Sequence, residues 1–150
     1  MNKQARNTLA AERHKARHYA MQALYQWHMA EAPINQIEAE FRTDYEFDHV
    51  DLEYFQALLH GVPASVTELE AVFEPLLDRK LDDLGPIERS LLRMGTWELQ
   101  QRIDVPWKVV INEAVSLAKK FGATDSHKYI NGVLDKVARQ LRKAETEADS

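Results

Sequence analysis

The 150-residue sequence predicts an all-α protein of about seven helices. Apolar residues recur every three or four positions along nearly the whole chain, which is the spacing of one buried helix face. Proline and glycine interrupt this pattern where helices would end, most strongly at Gly85-Pro86. No stretch alternates apolar and polar residues convincingly enough to indicate a β-strand. A polar hinge at residues 80–86 therefore divides the chain into an N-terminal and a C-terminal helical half.

The N-terminal half is expected to hold four helices. The first covers residues 11–30, and a short second helix follows Pro33. A third begins at an aspartate cap and stops at Gly61, because glycine suits a left-handed C-terminal cap. Pro63 then fits the first position of a fourth helix, which breaks near Pro75.

The C-terminal half is expected to hold three longer helices. Pro86 opens the first, Pro106 opens a second that ends at Gly122, and the last runs from about Asp125 to about Lys143. Asn131-Gly132 would normally indicate a hairpin turn. The apolar period continues on both sides of this pair, so we interpret Gly132 as a close contact between helices.

These elements predict one helical domain over residues 11–143, with subdomains of about 11–80 and 86–143. Residues 1–10 are expected to form a flexible extension, and residues 144–150 a frayed tail.

Composition excludes several classes of function. The chain has no cysteine, which rules out disulfides, thiol nucleophiles and cysteine metal sites. No apolar run approaches the roughly 18 residues of a membrane span. The N-terminus lacks the apolar core of a signal peptide, so a cytoplasmic protein is expected.

The charge is divided by region. Residues 1–28 carry five cations against one anion, and residues 119–143 carry seven against two. Residues 29–104 carry six cations against seventeen anions. Basic ends and an acidic middle are typical of a protein with two kinds of partner surface, although an uneven solvated surface would look the same.

The sequence gives little support for a catalytic site or a metal-binding site. His14 and His18 share a helix face, but no third ligand accompanies them. Asp82 and Asp83 are adjacent in the hinge and suit a solvated turn better than a catalytic pair facing across a cleft. No glycine-rich phosphate loop or nucleophile elbow is present. We therefore expect no catalysis, no cofactor and no metal.

The start of the first long helix points to nucleic acid. Arg13, His14, Lys15 and Arg17 cluster there, although cations at a helix N-terminus oppose the macrodipole. Cations that oppose the helix dipole are expected to have another role that compensates for this cost, and cationic side chains can bind phosphates. Tyr25 is a candidate for stacking on an unpaired base.

A similar mixture begins the last helix. Lys128 and Tyr129 lie in its first turn, where they can meet an RNA strand. Asp125 is expected to cap the helix and is also a candidate for the RNA face. Arg93 interrupts an apolar run, so it either pairs with a carboxylate or reaches a ligand.

Three stretches resemble the NusB family of bacterial transcription antitermination factors. They are AMQALYQW at 20–27, LGPIERSLLRMGTWEL at 84–99 and DVPWKVVINEAVSLAKKFGATDSHKYINGVLDK at 104–136. The likeness extends from about Arg13 to Leu141, and the third stretch is the most specific.

The resemblance implies two packed three-helix subdomains and an antitermination factor for ribosomal RNA operons. Such proteins bind boxA, a short single-stranded element of nascent RNA, together with NusE, a ribosomal small-subunit protein, and they act with RNA polymerase in the antitermination complex. Their RNA face combines the basic N-terminal helix with residues of the C-terminal half. Since ribosomal proteins are usually basic, we expect NusE to dock on the acidic side, at Asp82, Asp83 and Glu88. A homodimer of the free protein is left open.

The chain departs from the family where a near-continuous arginine run is common. It has His14 and Lys15 there, which predicts weaker binding and a slight pH dependence near the ordinary histidine pKa of about 6.5. Two alternatives remain: a protein-binding scaffold acting through the acidic middle, and an RNA-targeting domain in ribosomal RNA maturation like those attached to some RNA methyltransferases.

Overall fold

The computed structural model describes residues 1–149 and confirms the all-α fold. The described residues form eight α-helices, one more than expected, with short 3-10 turns at Glu74–Leu76 and Leu81–Asp83 and no strand. The helices are α1 (Lys3–Ala30), α2 (Ile34–Asp44), α3 (Leu52–Ala64), α4 (Val66–Phe73), α5 (Pro86–Gln101), α6 (Trp107–Phe121), α7 (Ser126–Leu141) and α8 (Lys143–Ala148). Contacts group the chain into two compact units, the first spanning Met1–Pro63 and the second beginning at Ala64. The hinge segment at 80–86 lies inside the second unit, and the division into subdomains at that hinge stays a prediction.

The first unit begins with a helix where a flexible extension was expected. Asn2 caps α1, and its side-chain oxygen accepts a hydrogen bond from the Ala5 N–H at 2.8 Å. The residues that follow are mostly good helix formers, so the cap and the propensity act together. The α1 helix therefore continues unbroken from Lys3 to Ala30.

The end of α3 differs from the expectation. The helix passes through Gly61 and Pro63 and ends at Ala64, and no glycine among the described residues has a positive φ. Leu59 and Val62 in the same turns are fully buried. Packing of these side chains outweighs the local tendency of Gly61 and Pro63 to end or begin a helix.

The second unit is built around α5, in which all residues from Ser90 to Leu99 are buried. It packs against α6 and α7. A Cβ added at Gly95 would lie 2.7 Å from Leu134 Cδ1, so glycine permits α5 and α7 to approach closely. The expectation for Gly132 is wrong, because a Cβ there would meet nothing within 4 Å.

The C-terminal residues form α8 rather than a frayed tail. Arg142 is 3% exposed and donates hydrogen bonds to four backbone carbonyls, those of Glu98, Leu99, Arg102 and Val105. The indole of Trp107 donates to Asp149 at 2.8 Å. These contacts hold the last helix against the α5–α6 connection. Ser150, the last residue of the expected tail, lies outside the described residues.

Candidate nucleic-acid interface

The two arginines of α1 that were expected to grip phosphates both contact Tyr54 of α3. The Arg17 guanidinium carbon lies 5.0 Å from the ring centroid, and its Nη2 donates to the Tyr54 hydroxyl at 3.3 Å. The Arg13 guanidinium carbon lies 4.8 Å from the same centroid, while its Nε donates to Asp51 at 3.4 Å. Cation–π contacts of this kind are strongest where water is excluded, and Tyr54 is 1% exposed.

Burial separates the roles of these arginines. Arg17 is 2% exposed and ties α1 to α3 inside the first unit. The direct phosphate contact expected of Arg17 stays a prediction. The Arg13 side chain remains 20% exposed, so part of it is accessible. His14 and Lys15 are exposed beside it.

Tyr25 lies in the exposed part of α1, with 36% of its surface accessible. Met29, one turn further on, is 57% exposed and was not singled out from the sequence. Residues four apart share a helix face. An aromatic ring and a thioether thus form an apolar surface that a base could stack on.

In the second unit, the first turn of α7 presents Asp125 and Lys128. Asp125 occupies the N-cap position with a left-handed backbone, φ 71°, but its side chain makes no capping hydrogen bond. Its carboxylate instead pairs with Lys128 at 3.3 Å, and both side chains are well exposed. The capping role expected of the Asp125 side chain is therefore wrong, and the carboxylate is available at the surface.

Tyr129 is half-buried under a cation that sequence reasoning missed. The Arg79 guanidinium carbon lies 4.2 Å from the Tyr129 ring centroid, and Arg79 Nε donates to Asp78 at 2.8 Å. Burial raises the pKa of Tyr129, which keeps the phenol neutral near pH 7. Arg79 lies directly before the polar hinge at residues 80–86, and the only signal for it was a second cation, Lys80, beside it.

Arg93 pairs with a carboxylate, one of the two alternatives left by the sequence. It is 5% exposed, and its Nε donates to Glu70 at 3.0 Å. Arg89 Nε donates to the same carboxylate at 2.7 Å. Burial raises the pKa of Glu70, but the hydrogen bond from Arg89 and the charge of Arg93 outweigh it, and the net shift is downward. Glu70 therefore remains ionised between two guanidinium groups, and an RNA contact by Arg93 stays a prediction.

The three expected partner residues differ in their surroundings. Glu88 is half-buried, and its two oxygens accept hydrogen bonds from the Gly85 N–H at 3.2 Å and from the Ser126 hydroxyl at 3.0 Å. Asp82 has 93% of its side chain exposed and lies 3.4 Å from Arg89. Asp83 is exposed as well. Glu88 thus fixes the start of α5, whereas the two aspartates are accessible to a partner.

Within residues 1–149, no group of three or more histidine, aspartate or glutamate side chains is arranged to hold a metal ion. No helix in this part of the chain combines the length and apolar character that crossing a membrane requires.

The fold and its sequence place this chain among helical transcription antitermination factors. The sequence profile of the NusB family matches residues 14–139. Relatives named transcription antitermination protein NusB are 58% identical in Hahella chejuensis, over 91% of this chain and 92% of the relative, and 56% identical in Saccharophagus degradans, over 93% of each. A solved structure of NusB from T. maritima superposes with a TM-score of 0.78 at 26% identity, covering 89% of this chain and 96% of that one. The chain belongs to the NusB family.

Proposed function

We propose that this antitermination factor binds single-stranded boxA RNA of ribosomal RNA operons together with the ribosomal protein NusE. The main support is the exposed basic surface of α1, where Lys15, His14 and part of Arg13 stand on a helix that Arg17 and Tyr54 anchor from beneath. Cations that project from one helix are held at a regular spacing, so they can contact successive phosphates of an RNA strand. Membership of the NusB family agrees with this role.

The second unit contributes its own candidates. Lys128 is a cation in the first turn of α7, and Tyr129 stacks with Arg79. A ring with a guanidinium on one face is a typical platform for an unpaired base, which stacks on either group. Asp125 adds an acceptor that can read the amino group of a base.

RNA binding is tested by titrating boxA RNA at several salt concentrations. Replacing Arg13 and Lys15 by alanine should weaken binding and reduce the salt slope by about 0.7 for each lost phosphate contact. A matched control replaces Lys136 and Lys143, two exposed lysines of α7 and α8, and should leave the slope unchanged. An unchanged slope in the Arg13/Lys15 variant would remove this helix from the RNA interface.

Partner binding is better tested at another residue than Glu88, although Glu88 is the obvious choice for a charge reversal. Reversing the charge of Glu88 would also break its hydrogen bonds to Gly85 and Ser126. Asp83→Lys changes only an exposed side chain, and Glu147→Lys is its control on α8. A basic partner that docks on the acidic surface should associate more slowly with the Asp83 variant, since complementary charge acts mainly on the association rate. RNA binding by the free protein should be unaffected, and equal loss of both activities would contradict the assignment of separate faces.

The exposed aspartates also support the alternative of a protein-binding scaffold in ribosomal RNA maturation. A scaffold would bind NusE but show no preference for boxA over unrelated RNA. Titrating both RNAs with and without NusE separates the two functions.

A further inference from the structure

The first turns of α1 lie outside the family match, which begins at residue 14. They are nonetheless an ordered part of the helix. We propose that these turns line an additional RNA-binding groove, which binds nucleotides flanking the boxA element. The inference rests on the proposed function, because it assumes that boxA RNA lies on α1.

The groove has a volume of about 610 Å³, within the usual range for ligand-binding clefts. Lys3 and Lys15 stand at its two ends, Asn7 lies between them, and His49 closes the side that faces the α2–α3 loop. Lys3 and Lys15 are twelve residues apart, so their backbones are separated by about 18 Å along the helix axis. That length exceeds one nucleotide, and a strand following the groove would place several phosphates along it.

The charge of this segment fits a polyanion. Residues 1–11 contain Lys3 and Arg6 and no acidic residue, and α1 has no acid in its first turn. Lys3, Arg6 and Lys15 are exposed and have no carboxylate partner within residues 1–149. Glu12 also lines the groove, but it is half-buried and alone against these cations. A positively charged groove that follows the backbone is one feature of binding sites for single-stranded nucleic acid.

The walls of the groove are fixed by contacts on both sides. Asn2 caps the helix at one end. At the other, the Asp51 N–H donates to the Glu12 carbonyl at 3.1 Å, while the Asp51 carboxylate pairs with Arg13. These bonds hold the loop that carries His49 against α1. The backbone that carries the cations is therefore a capped helix held by this loop.

The test compares two RNAs with the full chain: boxA alone, and boxA with additional nucleotides on both sides. The flanked RNA should bind more tightly and with a steeper salt dependence. Lys3→Ala should reduce the slope for the flanked RNA by about 0.7, the value for one phosphate contact on a single strand, and leave the slope for boxA alone unchanged. His49→Ala should remove part of the same gain in affinity, Lys3→Arg should restore it, and Lys143→Ala should have no effect.

The outcomes separate this inference from the function on which it rests. If both the Lys3 and the His49 variants keep the full gain for flanked RNA, with helical content unchanged by circular dichroism, the groove does not bind RNA. If boxA is bound no better than unrelated RNA, the proposed function fails. A Lys3-dependent gain on flanked RNA would still support the groove in that case.

Discussion

Glu70 is the residue whose loss should destabilise the second unit most through charge alone. Its carboxylate accepts hydrogen bonds from Arg89 of α5 at 2.7 Å and from Arg93 at 3.0 Å. The side chains of Glu70 and Arg93 are only 13% and 6% exposed. Glu70→Gln keeps the shape of the side chain but removes the negative charge that both guanidinium groups share.

The size of the effect follows from the burial of the pair. Removing one partner of a buried ion pair costs about 3–5 kcal/mol, because the remaining charge is left uncompensated. Glutamine retains one oxygen acceptor and the site is not fully dry, so we expect a loss of about 2–3 kcal/mol. In a domain of this size each kcal/mol lowers the midpoint by about 2–4 °C, which gives a decrease of about 5–10 °C.

Thermal and urea unfolding of Glu70→Gln measure this loss, with Glu74→Gln as the control. Glu74 is exposed in the neighbouring 3-10 turn, and its substitution should change stability by less than about 0.5 kcal/mol. The pKa of Glu70 is held below its ordinary value, so its contribution is fully present above the unfolded-state pKa of about 4.3 and is lost as the pH falls through the lower folded-state pKa. The gap between the wild type and Glu70→Gln should therefore be constant near neutral pH and shrink below about pH 4. Equal stabilities of the two proteins at pH 7 would refute the reasoning.

Three other substitutions give distinct stability changes in chemical denaturation. Gly132→Ala should stabilise the protein by about 0.5–1 kcal/mol, because the added methyl meets open space and alanine favours the helix; a loss of stability would mean that α7 is contacted at this point. Gly95→Ala should destabilise it by about 1–3 kcal/mol, because the new Cβ would lie 2.7 Å from Leu134 Cδ1; a neutral result would show that Leu134 can move aside. Arg142→Met should cost at least about 3 kcal/mol, because buried carbonyls lose their donors while the apolar stem is kept; a smaller loss, with α8 retained by amide exchange, would contradict this role of Arg142.

The helices were predictable because their apolar period extends over many residues. The start of α5 at Pro86 and the start of α6 directly after Pro106 were both predicted from proline alone. Gly61 was misleading as a helix end. The packing of its buried neighbours, which a local sequence pattern does not show, outweighs the preference of glycine to end a helix. Gly95 and Gly132 show the same limit: a glycine's use depends on what faces it, and Leu134 lies 39 positions from Gly95.

The candidate site was predictable as a set of charges but not as a geometry. Arg17 was expected to contact phosphates, and Arg93 either to pair with a carboxylate or to reach a ligand. Each is buried against a partner far away in the chain, Tyr54 and Glu70 respectively. A single sequence gives no pairing of residues 37 or 23 positions apart. Arg79 was not predicted as a site residue, because only the fold places its guanidinium on the ring of Tyr129.

The basic residues of α1, from Lys3 to Arg17, differ in burial in a way that the sequence alone could not show. Arg17 supports the helix from the buried side, where desolvation strengthens its contact with the Tyr54 ring and makes its loss costly. Lys3 and Arg6 remain exposed in the first turns of the same helix, where cations weaken the helix slightly, and Lys15 is exposed further along it. A helix weakened in this way needs an anchor to stay rigid, and the Arg17–Tyr54 contact provides it within the first unit. If α1 binds RNA as proposed, substitution of Tyr54 should weaken that binding indirectly, by loosening α1, without changing the number of phosphate contacts that the salt slope reports.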